Sequence, residues 1–283
     1  MRVNFLQAAF ATACVLTTTA ACAELPAVLT IGRESIKEGH AAAHEKMETE
    51  WARAMRKVKL PDHYLGLTTM TGVREAWFLS PFPTFAAMEE HDQFLEKNTA
   101  PGTMDALDTR DGEHRSGSRQ MITVLRKDLT YHGDQLNVAK TRYWVVTAFR
   151  VKLGHDADFA EGAKRFVAAY EKTSFPSPMI CYQAIGGVPD GFYLYFMPIE
   201  TLKEMDSMEE RDKAARQAIG LETYGQMMKG AGDVFVSIET TYLRVNPKMS
   251  YVSKETEDAD PAFWRPKAEA KPKAAAEAVK PTP

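Results

Sequence analysis

An internal repeat constrains this chain more than any other feature. Lys37-Glu38-Gly39-His40 returns 115 residues later as Lys152-Leu153-Gly154-His155, and Gly72 returns as Gly187 at the same offset. Pro81-Phe82-Pro83-Thr84-Phe85 aligns with Pro198-Ile199-Glu200-Thr201-Leu202, and Met88 with Met205, at an offset of 117. The strand-like Met121 to Leu129 aligns with Phe235 to Leu243 at 114. Matches in one order at a nearly constant spacing mean two copies of one unit, and a fold must house both.

Each copy reads strand, long helix, strand, strand, helical region, strand. The predicted strands are 27–36, 63–71, 74–80 and 119–131, then 142–152, 179–186, 191–197 and 233–245. Aromatic and β-branched runs such as Tyr143-Trp144-Val145-Val146 carry the strand assignments. Thr71-Gly72 and Gly186-Gly187-Val188-Pro189-Asp190-Gly191 supply hairpin turns. Pro81 and Pro198 end the hairpins, since proline cannot continue a central ladder, and Thr84 and Thr201 stand at the next helix N-caps.

The long helices follow from periodicity. His40, His44, Met47, Trp51, Met55 and Val58 recur at steps of three and four, and His155, Phe159, Phe166 and Tyr170 form the matching stripe. Glu45, Glu48, Glu50, Arg53 and Lys57 form the face expected in solvent. The strands are apolar on both faces, as in Trp77-Phe78-Leu79 and Phe192-Tyr193-Leu194-Tyr195-Phe196, so the sheet face without helices must also be covered. The predicted class is α+β: two βαββαβ ferredoxin-like repeats, 24–133 and 142–245, packed sheet to sheet as an intramolecular pseudo-dimeric α/β barrel and joined by a linker at 134–141.

On the repeated Lys-x-Gly-His after strand one and Pro-x-x-Thr after the hairpin, residues 27–245 resemble the dimeric α/β-barrel superfamily fused in tandem. Antibiotic-biosynthesis-monooxygenase-like and NIPSNAP-type domains belong to it. The resemblance implies a small apolar or aromatic ligand between the sheets, with cofactor-independent oxygenation as an alternative. Tandem relatives of the chlorite dismutase type imply a haem held by a proximal histidine between sheet and helices. No residue here marks that histidine, so no cofactor is expected and haem stays an alternative.

His63, Tyr64, Trp77, Trp144, Tyr182, Tyr193 and Tyr195 are the candidate ligand-binding residues, with plain sheet core as the competing reading. Strand parity does not choose among them, because both faces are apolar. His40 and His44, one helical turn apart with Glu48 a turn further, are weak metal candidates. His44 continues the core stripe and Phe159 takes its place in the second copy, so packing is the favoured role and no metal site is expected. Phosphate-binding glycine loops, Gly-x-Ser-x-Gly elbows and paired cysteine sites are absent, which leaves common hydrolases and nucleotide enzymes without their motifs.

Residues 1–23 read as a signal peptide: Arg2, the uncharged Phe5 to Thr19, and Ala21-Cys22-Ala23 before Glu24. Export to the periplasm or medium follows, with a lipid anchor at Cys22 as a lesser alternative. Cleavage leaves Cys181 alone, in an apolar run, so no intramolecular disulfide forms. The balance of 35 Lys+Arg against 38 Asp+Glu gives no global drive toward nucleic acid, and no later segment reads as a membrane span. A homodimer is compatible with the fold. Residues 246–283, charged and then Ala/Lys/Pro-rich, are expected to be a flexible spacer or an envelope-contacting tail anchored by Phe263-Trp264.

Overall fold

Glycines with positive φ turn each first strand into its long helix. Gly39 (φ 79°) and Gly154 (φ 88°) sit in the left-handed region that a side chain disfavours, and His40 and His155 follow as helix N-caps. The computed structural model describes residues 24–265. Within them the chain runs β1 (Val28–Ile36), α1 (Ala41–Val58), β2 (Leu65–Thr69), β3 (Glu75–Phe82), α2 (Phe85–Asn98), α3 (Thr103–Gly112) and β4 (Arg115–Leu125). It continues β5 (Tyr143–Val151), α4 (Asp156–Thr173), β6 (Ile180–Gly186), β7 (Phe192–Ile199), α5 (Met208–Ile219), α6 (Leu221–Val234) and β8 (Phe235–Val245). Two short helices, α7 (Lys254–Ala259) and α8 (Pro261–Trp264), end the described chain. Thr84 caps α2 as predicted, its hydroxyl accepting from Ala87 N at 3.1 Å.

The eight strands close into one antiparallel barrel, in the order β1-β3-β2-β8-β5-β7-β6-β4. The halves therefore join edge to edge, through β2–β8 and β4–β6 ladders, and do not merely stack as separate sheets. Among the described residues, closure pairs every strand on both sides and leaves no open sheet edge. β5 lies 115 residues after β1 (143 − 28), and α4 the same distance after α1 (156 − 41). β8 follows β4 by 120 (235 − 115), not by the 114 expected from sequence. β4 itself starts four residues earlier than predicted and stops at Leu125, because Arg115–Arg119 pair with β1 while Lys127–Leu129 coil into a 3₁₀ turn.

The barrel interior is a packed core. Ile31, Leu67, Trp77, Met121, Trp144, Val146, Ile180, Tyr182, Leu194 and Leu243 fill it, none more than 5 % exposed. One end carries a polar group: Glu75 accepts from Arg33 Nε (2.9 Å), Trp77 Nε1 (2.8 Å) and Arg119 Nη2 (3.0 Å), and Arg33 lies 4.1 Å over the Trp77 ring.

The segment after β8 corrects an expectation. Residues 246–265 are folded onto the barrel and do not form a flexible tail. Tyr251 and Tyr64 exchange backbone hydrogen bonds at 2.8 and 3.0 Å, and Ser250 Oγ accepts from Gly66 N at 2.9 Å. Trp264 joins the barrel core at 3 % exposure and donates from Nε1 to Ala139 O at 3.0 Å. The reason is apolar content: Met249, Tyr251, Val252 and Trp264 are all buried, enough to offset the ordering of a short chain. The predicted signal peptide, Cys22 and residues 266–283 lie outside the described residues.

Candidate functional site

The seven predicted ligand-binding residues do not share a cavity. Trp77, Trp144 and Tyr182 point into the barrel and are consumed by its core, with the Tyr182 hydroxyl donating to Pro26 O at 2.9 Å. His63 stacks on Tyr251 at 4.9 Å and Tyr64 packs beside Tyr251 outside the barrel, against α1 and the C-terminal segment. Tyr193 and Tyr195 point outward under α4, where Tyr193 donates to Asp156 Oδ1 at 2.7 Å and Tyr195 to Leu129 O at 3.1 Å. Burial raises both phenols, Tyr193 to about 12, so neither is a ready base near neutral pH. The space between the sheet faces is filled because each strand turns large apolar side chains inward as well as outward.

An open cleft lies instead on the outer face of the second half, between α4, α5, α6 and strands β5 and β8. Its volume is about 790 Å³. Phe149, Phe159, Phe166, Met179, Met227 and Ile238 make its apolar wall, and Tyr195 is the one predicted residue that lines it. α6 begins after Gly220 (φ 96°) and stands away from α4, which leaves Ile238 and Met228 half exposed over the gap. Arg165, Asp212, Arg216 and Thr223 supply polar groups to the same lining. Burial pushes the Asp212 carboxyl above its usual range, an effect that the Arg216 charge reduces.

The equivalent place in the first half is charged. Counting back 115 residues from Phe149, Phe159 and Ala163 gives Glu34, His44 and Glu48. There Glu34 on β1, His44 and Glu48 on α1 and Asp111 on α3 bring one donor atom each within 4.8 Å of all the others. His44 Nε2 lies 2.8 Å from Glu34 Oε2 and 3.7 Å from Asp111 Oδ1, and Arg115 Nη1 donates to Glu34 Oε1 at 2.6 Å. His44, Glu48 and Asp111 are 1, 5 and 0 % exposed. Burial pushes Glu48 to about 9, with Glu34 and Asp111 adding repulsion, and burial likewise raises Asp111. Glu48 thus leaves the solvent face assigned to it, because α3 covers that side of α1. His40, the other weak metal candidate, stands apart and meets His114 through their Nδ1 atoms at 3.1 Å.

Sequence reasoning missed Glu34 and Asp111, which lie 77 residues apart (111 − 34). The available signal was the exchange between copies of Glu34, His44 and Glu48 for Phe149, Phe159 and Ala163: three polar-to-apolar changes aligned on one strand and one helix.

No family model matches the chain, and no curated protein matches it in sequence. Among solved structures, a protein of Fusobacterium nucleatum subsp. nucleatum assigned as a monooxygenase superposes with TM-score 0.51 at 14% identity, over 78% of this chain and 92% of its own. The chain shares the α/β-barrel fold of that protein. An anthrone oxidase-like protein (TM-score 0.49, 10% identity, 77% and 91% covered) and a chlorite dismutase variant from Candidatus Nitrospira defluvii (0.48, 10%, 79% and 92%) also superpose on this α/β barrel.

The cleft of the second half lies between sheet and helices, where the resemblance placed a haem. Its lining offers neither histidine nor cysteine, and the Tyr195 hydroxyl is engaged with a backbone carbonyl. These residues do not fit a histidine-ligated haem.

Proposed function

We propose that this exported protein is a fused pair of βαββαβ units whose second half binds a small apolar or aromatic molecule in the outer cleft. The observation that carries the reading is the cleft itself, at about 790 Å³ within the usual size range of ligand sites and walled mainly by aromatic and thioether side chains. The polar groups sit where they orient a ligand: Arg216 and Asp212 one turn apart on α5, Thr223 and Tyr224 on α6. Such a wall favours a flat hydrophobe carrying one or two oxygen functions. In the first half the same place is filled with buried charged groups. Export would follow from residues 1–23, which supply a signal-type leader. Among the described residues no helix is long and apolar enough to cross a membrane.

Turnover in the same cleft is the second reading. Asp212 favours it, as a carboxyl in the cleft lining whose proton affinity burial raises above the usual range, on a fold shared with a protein assigned as a monooxygenase.

Gly162 offers the test. It lies mid-helix on the cleft wall, and a Cβ there meets only the flexible end of Met227, at 3.4 Å. Gly162→Phe fills the cleft while improving helix propensity. N-phenyl-1-naphthylamine fluorescence should rise with the native protein and lose most of its enhancement with Gly162→Phe at unchanged Tm. Equal enhancement in both proteins would place binding elsewhere and sink the proposal. For turnover, mass analysis of an eluted ligand before and after aerobic incubation should show a mass change that Asp212→Asn abolishes.

A further inference from the structure

We propose that Glu34, His44, Glu48 and Asp111 form a binding site for one divalent first-row transition-metal ion. Three elements that are far apart in sequence converge here: β1 brings Glu34, α1 brings His44 and Glu48 at i and i+4, and α3 brings Asp111 from its last turn. The spacing suits one ion. With donor–metal distances of roughly 2.0–2.2 Å, neighbouring donors stand about 3–3.5 Å apart and opposite ones about 4.2 Å. The 2.8 and 3.7 Å separations from His44 Nε2, and the 4.8 Å limit for the whole set, need only small side-chain adjustments.

The second observation is that Asp111 lacks a hydrogen-bond partner. Both carboxylate oxygens of Asp111 are fully buried without a hydrogen bond, and so is His44 Nδ1. Arg115 Nε approaches Asp111 Oδ2 at 3.0 Å, but as an ion pair outside hydrogen-bond geometry, and its Nη1 is committed to Glu34. Buried carboxylates are ordinarily satisfied, and leaving both oxygens of one without a donor is costly. A cation among these atoms supplies the missing partner and relieves the mutual repulsion of three carboxylates faced by one arginine. The aimed donors separate this cluster from an ordinary acidic patch.

Donor chemistry narrows the ion. One imidazole with three carboxylates suits Mn²⁺, Fe²⁺ or Zn²⁺, whereas Ca²⁺ and Mg²⁺ prefer all-oxygen shells and Cu⁺ prefers sulfur. In this place the ion would tie β1, α1 and α3 together, whereas in the second half Phe149 of β5 packs against Phe159 and Ala163 of α4. The site is independent of the cleft 115 positions on, and neither stands or falls with the other.

The test uses the protein purified without chelator or metal-affinity tag. Elemental analysis should find roughly one equivalent of Mn, Fe or Zn per chain, removable by chelation. Adding Mn²⁺, Zn²⁺ or, anaerobically, Fe²⁺ to the stripped protein should then raise Tm by several degrees, through preferential binding to the folded state. Co²⁺ should give visible d–d bands. His44→Ala and Glu48→Gln should lose the metal, the Tm response and the bands, while His40→Ala, outside the cluster, keeps all three. Wild-type protein with less than about a tenth of an equivalent and no Tm response to any of the three ions would overturn the proposal. So would an unchanged Co²⁺ spectrum in Glu48→Gln, the variant of conserved shape that guards against misfolding of His44→Ala.

Discussion

Trp264→Ala tests whether the last described residues seal the barrel. The indole is 3 % exposed, packs with the interior core and gives its N–H to Ala139 O. A buried tryptophan removes roughly 150–250 Å² from water. At about 25 cal/mol/Å² that is about 4–6 kcal/mol, an upper bound because the unfolded chain is already partly collapsed. Local fraying lowers the cost further. α7 and α8 can undock while the Tyr251–Tyr64 bridge and the Ser250–Gly66 contact hold the chain upstream of them. We therefore expect a loss of about 3 kcal/mol in urea unfolding with the m-value nearly unchanged, and a Tm lower by roughly 6–12 °C. Phe263→Ala, at a partly buried ring beneath the Arg142 guanidinium (3.7 Å), should cost about 1–2 kcal/mol. A Trp264→Ala protein within 1 kcal/mol of the parent would refute the sealing role and restore the picture of a loose tail.

Three further outcomes follow from buried groups. Burial pushes the Glu75 carboxyl up, but hydrogen bonds from Arg33 and Trp77 and the charges of Arg33 and Arg119 more than reverse this and leave it below its usual 4.5. The folded state therefore binds that proton more weakly than the unfolded chain, and the stabilisation is present above about pH 4.5 and lost as pH falls. Glu75→Gln should cost about 2–5 kcal/mol at pH 7, and the gap to the parent should shrink in acid unfolding curves; a constant gap from pH 7 to 3 would contradict the assignment. Cys181 is fully buried with its thiol pushed up to about 12, so Ellman's reagent at pH 8 should react only at the unfolding rate, and prompt labelling of the native protein would show the site is open. A Cβ on Gly66 would stand 2.5 Å from the Met249 carbonyl oxygen, so Gly66→Ala should cost about 1–3 kcal/mol and expose residues 246–265 to limited proteolysis; unchanged protease resistance would mean the segment docks by another route.

Element types were legible from the chain because the repeat states them twice. The 115-residue spacing of Gly39 and Gly154 fixes where both helices begin, and their stripes mark His44, Met47, Met55 and Phe159 as buried, while Trp51 and Phe166 are half-buried and Glu48 is buried off the stripe. Which face of a strand lies inside was not legible. Leu194 enters the barrel while Tyr193 and Tyr195 leave it, yet both environments are apolar and the sequence does not alternate with charge. The cleft was hidden for a related reason: Phe149 and Phe159 read as core residues, and only the stand-off of α6 opens space beside them. The charged cluster was half visible. His44 and Glu48 share a helical face, but Glu34 and Asp111 reach them only through tertiary packing, and solvent is the ordinary destination of a glutamate on an amphipathic helix. Phe263-Trp264, expected as the anchor of an envelope-contacting tail, pack instead on the chain's own barrel.

Closure of the barrel also sets an order of events during folding. The ladder that pairs Leu67 with Val245 spans 178 residues (245 − 67), and Trp264 can seat only when both flanking walls stand. Loops of this length are entropically slow to close, so the β2–β8 seam should form late, after the local hairpins of each half. Until it does, β2 and β8 are unpaired edges of apolar strands, the kind of surface on which chains aggregate. A chain that emerges from N- to C-terminus meets that hazard as soon as its first half has formed. Its yield then depends on how quickly the second half follows the first, and slowing the arrival of β8 would harm it more than weakening any one contact in the finished barrel.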